Sequence, residues 1–334
     1  MSPDSLPSLR FDFAKAVADA RRDFPEKTQK VAFFNLDDPD VGSQMEKFYD
    51  GLSPENKRNI DAIRQEDPDF LTPKDWPHAW RSPVDGVGLM TAYGSREHRT
   101  DMETLAYKGL DVQKQLHYTF AHELGHLVVK DADRAGNSAE HAADAFAVLR
   151  GFQSSFLKKD DVRVIAEGRD MLGWLNCDIS HISSMTMDAL VINPKSVEFT
   201  ALTPGEIAKI AVQHAQAFSQ SAEPGATRAL RSAIPTWGFG RENRLQSGLE
   251  GLAELVARNE KSSLTFYVAA RILLTAKARK EAGDPDLAAM DMSGANWDKT
   301  FKRIEKAGRH KKVAEDKPKT QLQKLASRLK PLSI

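Results

Sequence analysis

The spacing of apolar positions along the chain predicts mostly helix. Phe13, Val17 and Ala20 recur at helical intervals through Phe11–Phe24. Pro54–Gln65, Leu110–Val129, Ala139–Phe156, Asp160–Leu175, Thr203–Phe218, Leu245–Arg258 and Thr265–Ala282 predict further helices, the first of them polar. Gly86–Gly94 (GVGLMTAYG) is apolar and bounded by glycine, which makes it the best strand candidate. Pro68–Asp85 reads as loop, with Trp76, His78 and Trp80 as bulky landmarks, and Asn35–Val41, Glu223–Gly225 and Pro235–Arg241 read as breaks. The expected fold is α+β and mainly helical, with a small sheet near residues 30–95 and a helical C-terminal extension.

Composition supports a packed core. Of 334 residues, 41% are hydrophobic and 28% charged, which excludes a disordered or collagenous chain. A single cysteine, Cys177, excludes an intrachain disulfide framework and a cysteine zinc finger. No run approaches the roughly 18 apolar residues of a membrane span. The N-terminus lacks the basic start and apolar stretch of a secretory signal. These features predict a soluble, cytoplasmic protein.

Lys+Arg and Asp+Glu both number 47, so net charge is zero, but its distribution is uneven. From Asp298 onward twelve basic residues face four acids, a tail of +8 against −8 for the rest. The plain reading is a solvated basic helix and tail. The same pattern also fits contact with an anionic partner, nucleic acid included, or a C-terminal export signal outside the Sec route.

One motif carries chemistry. His122-Glu123-Leu124-Gly125-His126 (HELGH) is an instance of HExxH. On a helix, residues four apart differ by about 40° in direction, so both imidazoles converge on one ion. Glu123 sits between them in sequence but about 100° and 60° away in direction, where it reaches a metal-bound water without being a ligand. With His122 set at 0°, Leu116, Phe120, Leu124, Leu127 and Val128 fall at roughly 120–240°, a core-facing arc opposite the histidines.

A catalytic zinc site needs a third protein ligand and an open position. Asp131, Asp133, Glu140 and Asp144 are near enough in sequence. The HExxHxxGxxH pattern fails, because its Gly position is Val129 and its third His position is Ala132. Glu140, Asp144, Ala147 and Gly151 share one helical face within about 40°, two acids followed by two small residues that permit close approach to the HELGH helix. Glu140 is therefore the strongest candidate ligand. The alternatives are Asp131 or Asp133 as ligand, with Glu140 closing a capping box on Asn137. His141 points about 100° from Glu140 and away from the site.

HELGH followed by Glu140-His141-Ala142-Ala143-Asp144-Ala145-Phe146-Ala147 resembles the gluzincin arrangement. It is most similar to ImmA/IrrE-type metallopeptidases and more loosely to HtpX-type membrane peptidases. The resemblance covers roughly residues 110–155 and implies a zincin-like domain. It implies Zn²⁺ held by His122, His126 and Glu140, with Asp144 buttressing a zinc histidine. Glu123 would be general base and then proton donor to the leaving amine. The chain departs from these families in showing no helix-turn-helix signature and no membrane span.

The expected organisation is a metallopeptidase domain over 1–200, a helical extension over 201–297 and a basic C-terminal helix or tail over 298–334. The expected activity is hydrolysis of an intracellular protein or peptide substrate. Its alternative is a zincin-fold regulatory or binding protein without turnover. Tyr118, one turn before His122, and His181 are the leading candidate oxyanion donors, with Tyr93, Tyr107 and His214 behind them. Gly86–Gly94 is either an ordinary core strand or the edge strand that a peptide joins by backbone pairing.

Overall fold

The computed structural model describes residues 10–72, 77–95, 109–129, 138–175, 183, 186–187, 190, 201–221, 229–230, 241–261 and 263–309. It is mainly helical with one small sheet. The N-terminal part runs α1 (Phe13–Asp23), α2 (Pro25–Thr28), β1 (Val31–Asn35), α3 (Val41–Asp50), α4 (Pro54–Glu66), β2 (His78–Arg81) and β3 (Gly88–Ala92). Then come α5 (Val112–Val128), α6 (Ser138–Gln153), α7 (Lys159–Leu175) and α8 (Pro204–Ser221). The C-terminal part is α9 (Arg241–Arg258), α10 (Leu264–Glu281), α11 (Pro285–Ala288) and α12 (Ala295–Arg309). No described helix is long and apolar enough to cross a membrane.

Local chemistry sets several helix starts. Asp12, Ser53, Asp111 and Ser263 each accept a hydrogen bond from a backbone N–H of the turn they open. Asp111 fixes the start of α5, which carries HELGH; its Oδ1 accepts from the N–H of Gln113 at 2.9 Å.

The sheet has the order β1-β3-β2. β1 runs parallel to β3 with Phe33 opposite Met90, and β2 runs antiparallel with Trp80 opposite Leu89. The glycine-bounded strand is therefore central and buried along its whole length, not the edge that a peptide could join. The described sheet has its edges at β1 and β2, and β2 lies inside the stretch read from sequence as loop. HAWR alone is too short and too polar to signal a strand; its pairing with β3 makes it one.

Two hydrophobic cores are present among the described residues. The first joins the sheet with α1 and α3–α8. Leu116, Phe120, Leu124, Leu127 and Val128, the arc opposite the histidines, are all buried in it. Phe11 and Phe13 pack on Phe120 with ring centroids 5.8 and 5.7 Å away. Helix α6 is the centre of this unit: His141 through Leu149 are buried without interruption, between α5 and α8. The second core is formed by α9, α10, α11 and α12, with Leu249, Ile272, Leu273 and Phe301 inside, and it includes Met171 of α7.

The close approach of α5 to α6 is made at Gly125. A Cβ built there would lie 2.9 Å from Cα of Ala143, so the two backbones meet with nothing between them. Gly151, expected from sequence to serve this contact, instead makes room for Leu157, whose Cγ and Cδ1 occupy the space.

Candidate metal centre

The ligand-bearing side chains come from two crossed helices. His122 and His126 stand one turn apart on α5, and Glu140 lies in the first turn of α6. His122 Nε2 is 3.1 Å from His126 Nε2. Glu140 Oε2 is 3.3 Å from His122 Nε2, and Oε1 is 3.3 Å from His126 Nε2. Nitrogen and oxygen ligands about 2.0–2.1 Å from a tetrahedral ion lie about 3.3 Å from each other. The two imidazole nitrogens, 3.1 Å apart, are close to one such edge, and each meets a different oxygen of Glu140 at 3.3 Å, so the carboxylate faces the pair with both oxygens. These residues form the group among those described that could hold a metal ion. Two imidazoles and one carboxylate suit a borderline-soft divalent cation.

Asp144 lies one turn after Glu140 and has no solvent exposure. Its Oδ1 is 2.7 Å from His122 Nδ1, a close but poorly aligned contact on the side of the ring away from Glu140. Tyr118 donates its hydroxyl to the same oxygen at 2.5 Å. Arg169 Nε donates to Oδ2 at 3.0 Å, and the hydroxyl of Ser183 donates to Oδ2 as well. Arg169 also reaches Glu140, with Nη2 2.8 Å from Oε2. One guanidinium on α7 thus bridges two carboxylates of α6.

Charge follows from these contacts. Burial opposes the charged form of His122, but Asp144 and Glu140 outweigh it and push the imidazole up to about 10. His126 lacks a comparable partner, and burial pulls it down to about 4. Glu140 is held well below the usual carboxylate range: His122, His126 and Arg169 overcome its desolvation. Asp144 is likewise lowered against its burial, chiefly by Arg169 and His122. Glu123 is the exception. Burial drives it up to about 8, opposed by the charges of His122, His78 and Arg169. A carboxyl in that range takes up and returns a proton near neutral pH.

The sequence candidates sort themselves by place. His122, His126 and Glu140 are brought together, with Asp144 behind His122 and Glu123 buried beside them. His141 is turned away, its Nδ1 2.9 Å from the hydroxyl of Thr186. Tyr118 is not placed as an oxyanion donor. Its hydroxyl is engaged by Asp144 and the residue is 1% exposed, so it supports the layer behind His122. His214 is buried on α8 outside the three-residue group, and Tyr93 is buried after β3. His181, Tyr107, Asp131, Asp133 and Asn137 lie outside the described residues.

Sequence reading missed two residues of this neighbourhood. His78 of β2 acts electrostatically on Glu123, yet nothing in Pro77-His78-Ala79-Trp80 marks it. Arg169 did leave a signal. Val162, Ile165, Ala166 and Leu172 define the buried stripe of α7, and Arg169 falls on that stripe, 4% exposed. A cation on a core-facing stripe calls for buried anions. No known protein family, characterised protein or solved structure matches the chain.

Proposed function

We propose that the chain is a zinc-dependent metallopeptidase of zincin-like fold that hydrolyses peptide bonds of an intracellular protein substrate. One observation carries the reading: His122 Nε2, His126 Nε2 and the Glu140 carboxylate converge at 3.1–3.3 Å, and Glu123 stands beside them outside the group. His122 Nε2, His126 Nε2 and the carboxylate of Glu140 would hold the ion. When bound, zinc supplies a Lewis-acid charge that makes water nucleophilic at neutral pH.

The protein's own groups do the rest. Glu123 takes the proton from the attacking water as its oxygen adds to the peptide carbonyl, then gives that proton to the departing amine nitrogen. Asp144 orients the His122 ring from behind, which fixes which nitrogen faces the ion. Edge strand β2 packs against α5 and carries His78 close enough to act on Glu123. Among the described residues no strand pairs with the outer edge of β2. A substrate in extended conformation pairing there would run past Glu123.

The test uses zinc content and turnover together. Wild type should carry one zinc per chain, and Glu140→Ala should lose it. Glu123→Gln should keep the zinc and lose about 10²–10⁴-fold in peptide hydrolysis. Zinc retained by Glu140→Ala would refute the ligand set. Zinc binding with no hydrolysis of any protein would leave a regulatory scaffold in place of an enzyme.

A further inference from the structure

Arg169 stands outside the HELGH and Glu140–Asp144 motifs, yet it touches both carboxylates of the second. Its Nε is 3.0 Å from Asp144 Oδ2 and its Nη2 is 2.8 Å from Glu140 Oε2. Nε and Nη2 can form one edge of the planar guanidinium, and the two carboxylates sit four residues apart on one face of α6. A rigid fork of donors therefore spans one helical turn. Both carboxylates also meet the histidines: Asp144 Oδ1 is 2.7 Å from His122 Nδ1, and Glu140 places Oε2 3.3 Å from His122 Nε2 and Oε1 3.3 Å from His126 Nε2.

We infer that Arg169 is a positioning residue of the metal centre. It fixes where Glu140 stands between the two histidines and sets the site before any ion arrives. The inference rests on the metal-site reading above. Arg169 donates to Oε2, the oxygen that stands 3.3 Å from His122 Nε2, so Glu140 cannot swing away from the histidines without losing the fork. The same guanidinium couples the aim of Glu140 to the orientation of His122, because Asp144 contacts both Arg169 and His122.

Position and charge predict opposite outcomes. A cation near a metal site repels the metal, so if Arg169 acted by charge alone its removal would tighten binding. If it acts by position, removal loosens binding, and lysine, which keeps the charge and lacks the fork, fails to rescue.

The experiment is competitive zinc titration of wild type, Arg169→Lys, Arg169→Met and Glu140→Ala, with circular dichroism as the check on folding. Both Arg169 variants should bind zinc about 10–100-fold more weakly than wild type, the usual cost of removing a residue that orients a ligand. The cobalt-loaded Arg169→Lys protein should show an altered visible spectrum as Glu140 changes its mode of ligation. Wild-type affinity in Arg169→Lys, or tighter binding in Arg169→Met, overturns the inference while the metal site stands. Equal zinc affinity in wild type and Glu140→Ala overturns the metal site and the inference with it. Should the Arg169 variants not fold, nuclear magnetic resonance of wild type decides. The Arg169 Nε–H should exchange slowly in the metal-free protein and remain protected on zinc loading; fast exchange without metal overturns the inference.

Discussion

Replacing Gly125 by alanine sets two opposed effects against each other at the HELGH helix. Alanine favours an α-helix over glycine by about 1 kcal/mol, so an isolated α5 would gain stability. In the folded protein the new Cβ would sit 2.9 Å from Cα of Ala143 and 3.2 Å from both its Cβ and its carbonyl oxygen. These are not the ends of flexible side chains, so relief requires α5 and α6 to separate by roughly 0.5–1 Å. Overpacking of this kind costs about 1–3 kcal/mol. The expected net result is a loss of about 0–2 kcal/mol, read by urea unfolding of the metal-free protein. The effect on the site is larger. His122 and His126 ride on α5 and Glu140 on α6, with contacts of 3.3 Å between them. A gap of that size stretches both contacts, and zinc affinity measured by chelator competition should fall at least tenfold. If Gly125→Ala binds zinc like wild type, or gains the full helix-propensity increment, the backbone contact does not set the site geometry.

Other perturbations have equally definite outcomes. His214 is 5% exposed, and burial lowers it to about 4 from an ordinary 6.5. The unfolded chain binds the extra proton between those values, so stability rises with pH there and is lost on acidification, by about 2 kcal/mol from pH 7 down to pH 5. His214→Leu should remove that share of the acid sensitivity in urea titrations at the two pH values, and an unchanged slope would show that His214 is not its source. Phe146 has no exposure at the centre of α6; Phe146→Ala should cost about 3–5 kcal/mol in the same assay. A loss under 1 kcal/mol would contradict its place in the core. Tyr118→Phe removes one donor to buried Asp144 and should cost about 2 kcal/mol. It should weaken zinc binding while leaving the substrate KM unchanged; a changed KM would return Tyr118 to the substrate side.

Much of the helical framework was legible because each helix buries a stripe that repeats at its own period. Leu116 through Val128 on α5 shows this, with every apolar residue of the arc buried. The three ligand candidates were legible for the same reason, since i, i+4 spacing fixes direction on a helix. What escaped was non-local. Val31–Asn35 and His78–Arg81 become strands by pairing with Gly88–Ala92, and no stretch that short specifies its partner. Helix α3 follows directly on the Asp- and Pro-rich Asp37-Asp38-Pro39-Asp40 and contains Gly42 and Ser43, a composition that reads as a break. Arg169 lies 25 residues beyond the nearer carboxylate it binds, and only the tertiary packing of α7 brings them together.

Helix α7 belongs to both cores. Arg169 faces the carboxylates of α6, while Asp170, the next residue, lies 3.8 Å from Arg271 of α10, and Met171 is buried in the second core. Successive residues on a helix point about 100° apart, so one rigid cylinder presents a different face to each unit. Turning that cylinder by about 10° moves a side-chain tip, some 5–6 Å from the axis, through about 1 Å. A rotation of α7 that moved Asp170 at Arg271 would therefore also move Arg169 at Glu140 and Asp144.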